Sequence, residues 1–277
     1  MLSLYKVVLK MKLVTFNPFR TIGISNTTYI KPENIFKKID KIKEADYILY
    51  PEYWQVNSLV YGLKKKIFPS ISTYQLGHNK VETTRALWAT FPKNVPYTQI
   101  LNKDIADVET IEEEFGYPLV AKEIKNSMGR GVFLIENRQE LKNYIENNDI
   151  LYIQERLPID RDLRIVYVGN KVIGAYWRIA SQGEFHNNIA KGASYDFNNI
   201  PLKAIELVEK VANALDINHA GFDIAVVDSN YYILEYNVMF GNEGLRKMGV
   251  KVEKYVYEYL LSNFDSVPNK PVYPKAS

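Results

Sequence analysis

Residues 221–238, GFDIAVVDSNYYILEYNV, constrain the fold of this chain more tightly than any other stretch. Positions 221–227 and 231–237 are short, apolar and rich in β-branched or aromatic side chains, so both read as strands. Asp228-Ser229-Asn230 supplies the turn between them. Three polar residues interrupt this apolar pair: Asp223, Glu235 and Asn237. The strand period of two projects Glu235 and Asn237 from one face, and antiparallel pairing lets Asp223 face them across the ladder. Two carboxylates and an amide oxygen suit Mg²⁺, which takes hard oxygen ligands and keeps phosphates as the remainder. The same residues also suit a hairpin edge facing water. Spacing alone favours neither reading.

Elsewhere the chain alternates helix and strand patterns, which points to layered α/β lobes. Residues 12–16 (KLVTF) and 46–50 (DYILY) read as strands. Between them, Ile35, Ile39 and Ile42 fall at helical spacing over 32–44, with Pro32 in the first turn. Helices over 52–64 and 79–90 complete an open-sheet N-terminal lobe. Beyond Pro92 and Pro96 an acidic amphipathic helix spans 104–115 and is closed by Gly116 and Pro118. A strand (119–124), a glycine loop (126–131), a strand (132–135), a helix (138–147) and a strand (150–155) follow. Strands 163–168 and 171–179 are joined by Gly169-Asn170, helix 201–214 precedes the 221–238 hairpin, and a last helix lies near 252–263. The expected organisation is an N-terminal lobe over 1–95, a central lobe over 96–156 and a C-terminal lobe over 157–277. Residues 1–10, before Met11, read as a tail outside the fold.

Composition matters mainly for what it excludes. A chain of 277 residues is long enough for two or three compact lobes. With no cysteine it has no disulfide framework, thiol nucleophile or Cys-ligated zinc, which fits the cytoplasm. A net charge of +3, with only short runs such as Lys64-Lys65-Lys66, does not mark a nucleic-acid partner. No run approaches the roughly 20 apolar residues of a membrane span. The apolar N-terminus is broken by Lys6, Lys10 and Lys12 and lacks a small-residue cleavage site, which argues against a signal peptide. His78, His186 and His219 show no metal-ligand spacing.

Two further segments carry candidate chemistry. After Lys122 the chain reads AKEIKNSMGRGVFLI, with Gly129 and Gly131 between two strands. Glycines let main-chain N–H groups approach phosphate oxygens, with Lys122 or Lys125 adding charge. A Gly-x-Gly hairpin is the plainer alternative, and no Gly-Lys-Ser/Thr marks a P-loop. The run RIASQGEFHNNIAK (178–191) gathers Arg178, His186, Asn188 and Lys191, which could meet a polyphosphate, but taken alone it reads better as a long solvated loop.

Taken in order, these segments resemble the ATP-grasp superfamily, and within it the RimK-type glutamate ligases and glutathione-synthetase-like carboxylate–amine ligases. The resemblance runs from about residue 80 to 247. It rests on LGHNKVETTRAL, YPLVAKEI with its glycine loop, YIQERLPIDRDLRIVYVGNKVIGAYWRIA, GEFHNNIAKGA and HAGFDIAVV…YYILEYNVMFGNEGL. It implies an α/β ATP-grasp fold whose two later lobes clasp ATP, using Mg²⁺ or Mn²⁺ to join a carboxylate to an amine through an acyl phosphate. By the same resemblance Lys80, Lys122, Gly129, Gly131 and His186 meet the nucleotide, and Gln154, Glu155, Arg156 and Leu157 form the adenine hinge. Asp162 holds the ribose; Arg178, Asn188 and Lys191 surround the transferred phosphoryl; Asp223, Glu235 and Asn237 bind the metal. Departures fall around the acceptor: Asn126, Ser127 and Met128 in the glycine loop, His186 and Lys191 in place of arginines, and VMFGNEG after Asn237. A kinase acting on a small polyol and a catalytically silent nucleotide-binding module are the competing readings. The partners expected are ATP, a carboxylate and an amine, with a homo-oligomer left open.

Overall fold

A computed structural model describes residues 11–124, 131–179 and 194–264 of the chain. Expectations for the 1–10 tail, for the glycine loop up to position 130 with Gly129, and for His186, Asn188 and Lys191 lie outside those segments. Three sheets organise the described residues, in an α/β arrangement.

The first sheet is parallel, in the order β2-β1-β3-β4, from β1 (Leu13–Thr15), β2 (Thr27–Tyr29), β3 (Tyr47–Leu49) and β4 (Lys66–Phe68). Its helices are α1 (Ile39–Glu44), α2 (Tyr53–Asn57) and α3 (Ile71–Leu76). Val14, Ile35, Ile42, Ile48, Leu59 and Ile67 form the core here. The continuous helix expected over 32–44 is instead two 3₁₀ turns, Pro32–Asn34 and Phe36–Lys38, followed by the short α1. The spacing of Ile35 and Ile42 reports a buried face, and short tight turns satisfy that requirement as well as an α-helix does. The 52–64 span is α2, begun by a Glu52–Gln55 capping box and continued as a π turn, Ser58–Gly62.

The second sheet is antiparallel, in the order β5-β8-β6-β7, from β5 (Thr98–Asn102), β6 (Leu119–Lys122), β7 (Val132–Ile135) and β8 (Ile150–Gln154). Before it runs α4 (Lys80–Thr90), and on it pack α5 (Val108–Phe115) and α6 (Arg138–Glu146) around Ile111, Leu119, Leu141 and Ile153. Helix α5 starts four residues later than expected because the Asp107 side chain caps it, accepting from Thr110 N at 2.9 Å. It ends at Gly116, whose φ of +65° suits glycine.

The third sheet, β11-β10-β9-β12-β13, is antiparallel throughout: β9 (Arg161–Val168), β10 (Lys171–Ile179), β11 (Ser194–Asp196), β12 (His219–Val227) and β13 (Asn230–Asn237). Alternation along its strands gives it two buried faces. Leu163, Ile165, Tyr167, Phe222 and Ile224 pack on α7 (Leu202–Ala214). Val166, Val168 and Tyr176 pack with Leu13, Leu49 and Phe68 of the first sheet, Leu245 of α8 (Glu243–Lys247) and Val256 of α9 (Val252–Ser262). Among the described residues no helix is long and apolar enough to cross a membrane.

Candidate active site

Asp162, Arg164, Arg178, Asp223 and Glu235 share one face of the third sheet because the register pairs them across adjacent strands. Arg178 of β10 lies opposite Asp162 of β9, Arg164 of β9 opposite Asp223 of β12, and Asp223 opposite Glu235 of β13. Opposed residues point to the same side of a sheet. Arg164 grips Asp223 through Nε to Oδ1 at 2.5 Å and Nη2 to Oδ2 at 3.1 Å. Arg178 donates to both oxygens of Asp162 at 2.6 and 2.7 Å and reaches Asp223 Oδ2 at 3.0 Å. Two guanidiniums and two carboxylates thus balance in a buried block. Burial pushes the Asp223 carboxyl up, but Arg164 and Arg178 together pull it below the usual carboxylate range. Burial outweighs Arg178 at Asp162 and leaves that carboxyl raised.

A β-bulge delivers Glu235 to this face. The register runs Asp223 opposite Glu235 and then Ile224 opposite Ile233, so one residue is extra on β13. Ile233 joins the core on α7, while Glu235 shares the side of Asp223. Asn237 follows at the strand end and donates through Nδ2 to Glu235 Oε1 at 3.2 Å. The donor set fits a hard cation. A carboxylate offers about four lone-pair sites, and the arginines take three on Asp223, which leaves room on Oδ1 beside Glu235 and the Asn237 amide.

Two lysines face the hairpin. Asn79 caps α4 by accepting from Glu82 N at 3.0 Å, which makes Lys80 the first helical residue. Its backbone N–H donates to Ile124 O at 3.2 Å, fastening α4 to the end of β6. Its Nζ donates to Glu123 O at 3.2 Å and lies 3.9 Å from Glu235 Oε2. Lys122, the last residue of β6, is only 6% exposed and holds Nζ 5.4 Å from the Tyr152 ring centre. Burial, with Glu235 acting against it, brings the Lys122 ammonium down to about 8. Lys80 shifts the same way for the same reason. Buried cations with lowered affinity for their protons are suited to meeting an anion.

An open cleft lies among the Gly77–Lys80 turn, Thr83, Thr84 and Leu87 of α4, Ile124 and the 233–237 stretch of β13. Of the hinge residues, Gln154 is buried at the end of β8 and donates to Thr98 Oγ1 at 2.8 Å. Glu155 pairs with Tyr97 twice: its N–H donates to Tyr97 O at 2.9 Å, and its Oε1 accepts from Tyr97 N at 2.6 Å. Arg156 is exposed and Leu157 half-buried, and neither lines the cleft. Gly131 adopts φ +71° and its carbonyl accepts from Glu123 N at 2.7 Å.

Sequence reading missed Arg164 and Tyr152. The signal for Arg164 was present: it stands two residues after Asp162 in an otherwise apolar strand, hence on the same face. Tyr152 looked like one more strand aromatic and carries no such mark.

A parallel sheet followed by two antiparallel sheets, with Lys122 on the second and paired carboxylates on the third, is an arrangement of the ATP-grasp kind. The chain belongs to the RimK-like ATP-grasp domain family, whose model matches residues 78–260. It is similar to a probable alpha-L-glutamate ligase of Pectobacterium carotovorum, 32% identical over 157 residues, covering 53% of this chain and 51% of that protein. It is also similar to the coenzyme gamma-F420-2:alpha-L-glutamate ligase of Methanocaldococcus jannaschii, 29% identical over 218 residues, covering 75% and 74%. The chain thus spans about half the length of the Pectobacterium relative it matches. Among solved structures, the RimK domain protein of Sphaerobacter thermophilus superposes with a TM-score of 0.68 at 13% identity, covering 90% of this chain and 98% of that one.

Proposed function

We propose that the chain is an ATP- and Mg²⁺-dependent carboxylate–amine ligase that adds an amino acid such as glutamate to a peptide, protein or small-molecule acceptor. The observation that carries this reading is the placing of Lys80, close to Lys122, against the Asp223–Glu235–Asn237 hairpin, beside an open cleft. A carboxylate is a poor electrophile. In the proposed reaction its oxygen takes the γ-phosphoryl of ATP, releasing ADP; the amine then attacks the acyl carbon, loses a proton, and phosphate leaves. Such transfer needs alignment and charge neutralisation more than covalent help.

In this reading Lys80 and Lys122 hold the nucleotide phosphates, and the backbone around Gln154–Glu155–Arg156–Leu157 meets the base. Arg178 lies along the transferred phosphoryl, and Asp162, with Arg178 on one edge, keeps its other lone pairs for a ribose hydroxyl. Asp223, Glu235 and Asn237 would hold Mg²⁺, which when bound neutralises phosphate charge. Gly129, Gly131, His186, Asn188 and Lys191 complete the proposed set. The 96–156 and 157–277 lobes are proposed as the units that close around ATP, with 1–95 as the lobe that precedes them.

Phosphate release from Mg-ATP across a panel of amino acids, peptides and protein acceptors, with mass analysis of products, tests this. An amide product with stoichiometric phosphate supports it. A phosphorylated polyol would mean a kinase, and ATP binding without turnover on any acceptor would mean a binding module.

A further inference from the structure

Arg20 is the residue most in need of a purpose. It ends the 3₁₀ turn Pro18–Arg20 directly after β1, and its Nη2 donates to Phe240 O at 2.9 Å. Its guanidinium carbon lies 5.9 Å from the ring centres of both Tyr50 and Phe240. Among the described residues no carboxylate pairs with it, so most of its five N–H donors are left over. Its free donors can therefore meet a visiting anion, although the Glu253 carboxylate also lies within electrostatic reach of Tyr50.

Its position has a topological meaning. In the order β2-β1-β3-β4 the chain leaves β1 in one direction and β3 in the other, so the order reverses between β1 and β3. Open parallel sheets bind ligands outside the carboxyl ends of their strands at such a point. Arg20 follows β1, Tyr50 follows β3, and the two side chains meet across that gap. Tyr50 is held at φ +48°, a conformation a bulky residue rarely adopts, and is buried with its ring edge-on to Phe68 and His219. Backbone strain of this kind concentrates at ligand sites. The third wall is Phe240, three residues past Asn237, fixed by stacking on His219 at 4.6 Å. Exposed Phe19 and Ile22, at 85% and 69%, flank Arg20 in sequence.

We propose that this crevice is a carboxylate subsite, and that Arg20 determines specificity by binding a non-reacting carboxylate of the substrate. The proposal rests on the ligase reading above and adds to it the class of substrate: a dicarboxylate, one group reacting at the metal hairpin and the other paired with Arg20. The guanidinium fork matches a carboxylate bidentately, which an ammonium cannot do. The residue lies outside the region matched by the family model, in the lobe most free to set selectivity.

The test is calorimetric binding to the full chain with Mg-ADP, using L-glutamate, glutarate and their mono-amides. Wild type should bind at least one dicarboxylate tenfold or more tightly than its mono-amide. Arg20→Gln should abolish that preference and Arg20→Lys retain part of it, with nucleotide affinity unchanged within twofold. Equal binding of acid and amide by wild type overturns the proposal, as does a preference that survives in Arg20→Gln. Parallel loss of nucleotide affinity would reduce Arg20 to a structural clamp. Carboxylate binding with no amide product under turnover conditions would sink the ligase reading while sparing the subsite.

Discussion

Lys122 is held in a place that suits a ligand better than it suits the fold. Its pKa, brought down to about 8 from 10.5 chiefly by burial, means that the folded chain binds this proton more weakly than the unfolded chain does. The charged form therefore costs stability, roughly 3 kcal/mol, at all pH values below about 8, and the cost fades as pH rises toward 10.5. Lys122→Met should raise the urea midpoint at pH 7 and lower ATP affinity at least tenfold, since a charge-assisted contact of about 1.5–3 kcal/mol is lost. Unchanged ATP affinity by calorimetry would remove Lys122 from the site. His219 follows the same rule in an acidic window. Burial among Tyr50, Phe68 and Phe240 drives its pKa down to about 3. The unfolded chain takes up the proton near pH 6.5, so the stability His219 contributes is full above that value and is lost as pH falls toward 3. Urea midpoints from pH 7.5 to 4 should fall steeply in wild type and less steeply in His219→Gln.

Among the elements, the β12–β13 hairpin positions the proposed metal ligands through its bulge. Bulges next to active sites re-aim side chains, and here the extra residue carries Glu235 away from the face used by Ile233. Glu235→Gln keeps shape and volume, so circular dichroism and the unfolding midpoint should stay near wild type. Loss of one negative charge where the metal is proposed should cut Mg-dependent ATP turnover by about a hundredfold or more, roughly 2.7 kcal/mol in barrier. A normally folded variant with full turnover would overturn the metal assignment.

At the scale of the molecule, the proposed site draws on separate sheets: Lys122 from the second, the carboxylates from the third, and the Arg20 crevice from the first. A ligand bridging the second and third sheets binds only the assembled fold. ATP with Mg²⁺ at about 100 times its Kd should therefore add roughly 2.7 kcal/mol to unfolding stability, read as a higher Tm. ATP without metal should add less, and the difference between the two should vanish in Glu235→Gln. An equal gain with and without metal would separate nucleotide binding from the hairpin.

Local sequence settled the long periodic elements, because alternation and helical spacing report which face is buried. Helix α7 lies where its apolar spacing put it, as do the paired strands on either side of Gly169-Asn170 and the hairpin that holds Asp223, Glu235 and Asn237. Strands β2 and β4 left no legible signal because, unlike the equally short β1 and β3, they are not wholly buried: β2 is TTY with two exposed residues, and β4 begins on an exposed lysine. Nor could the 3₁₀ turns before α1 be told from a helix, because both bury Ile35 and Ile42. The candidate site divides along the same line. Residue types and spacing raise the acidic hairpin and Lys122 as candidates, and the resemblance to ATP-grasp ligases adds Lys80. Only tertiary structure decided that Arg164 and Arg178 share Asp223, that a bulge turns Glu235 away from Ile233, and that Arg20 meets Tyr50 and Phe240. Those contacts join residues up to 220 positions apart, and no periodicity of the local chain encodes a pairing at that distance.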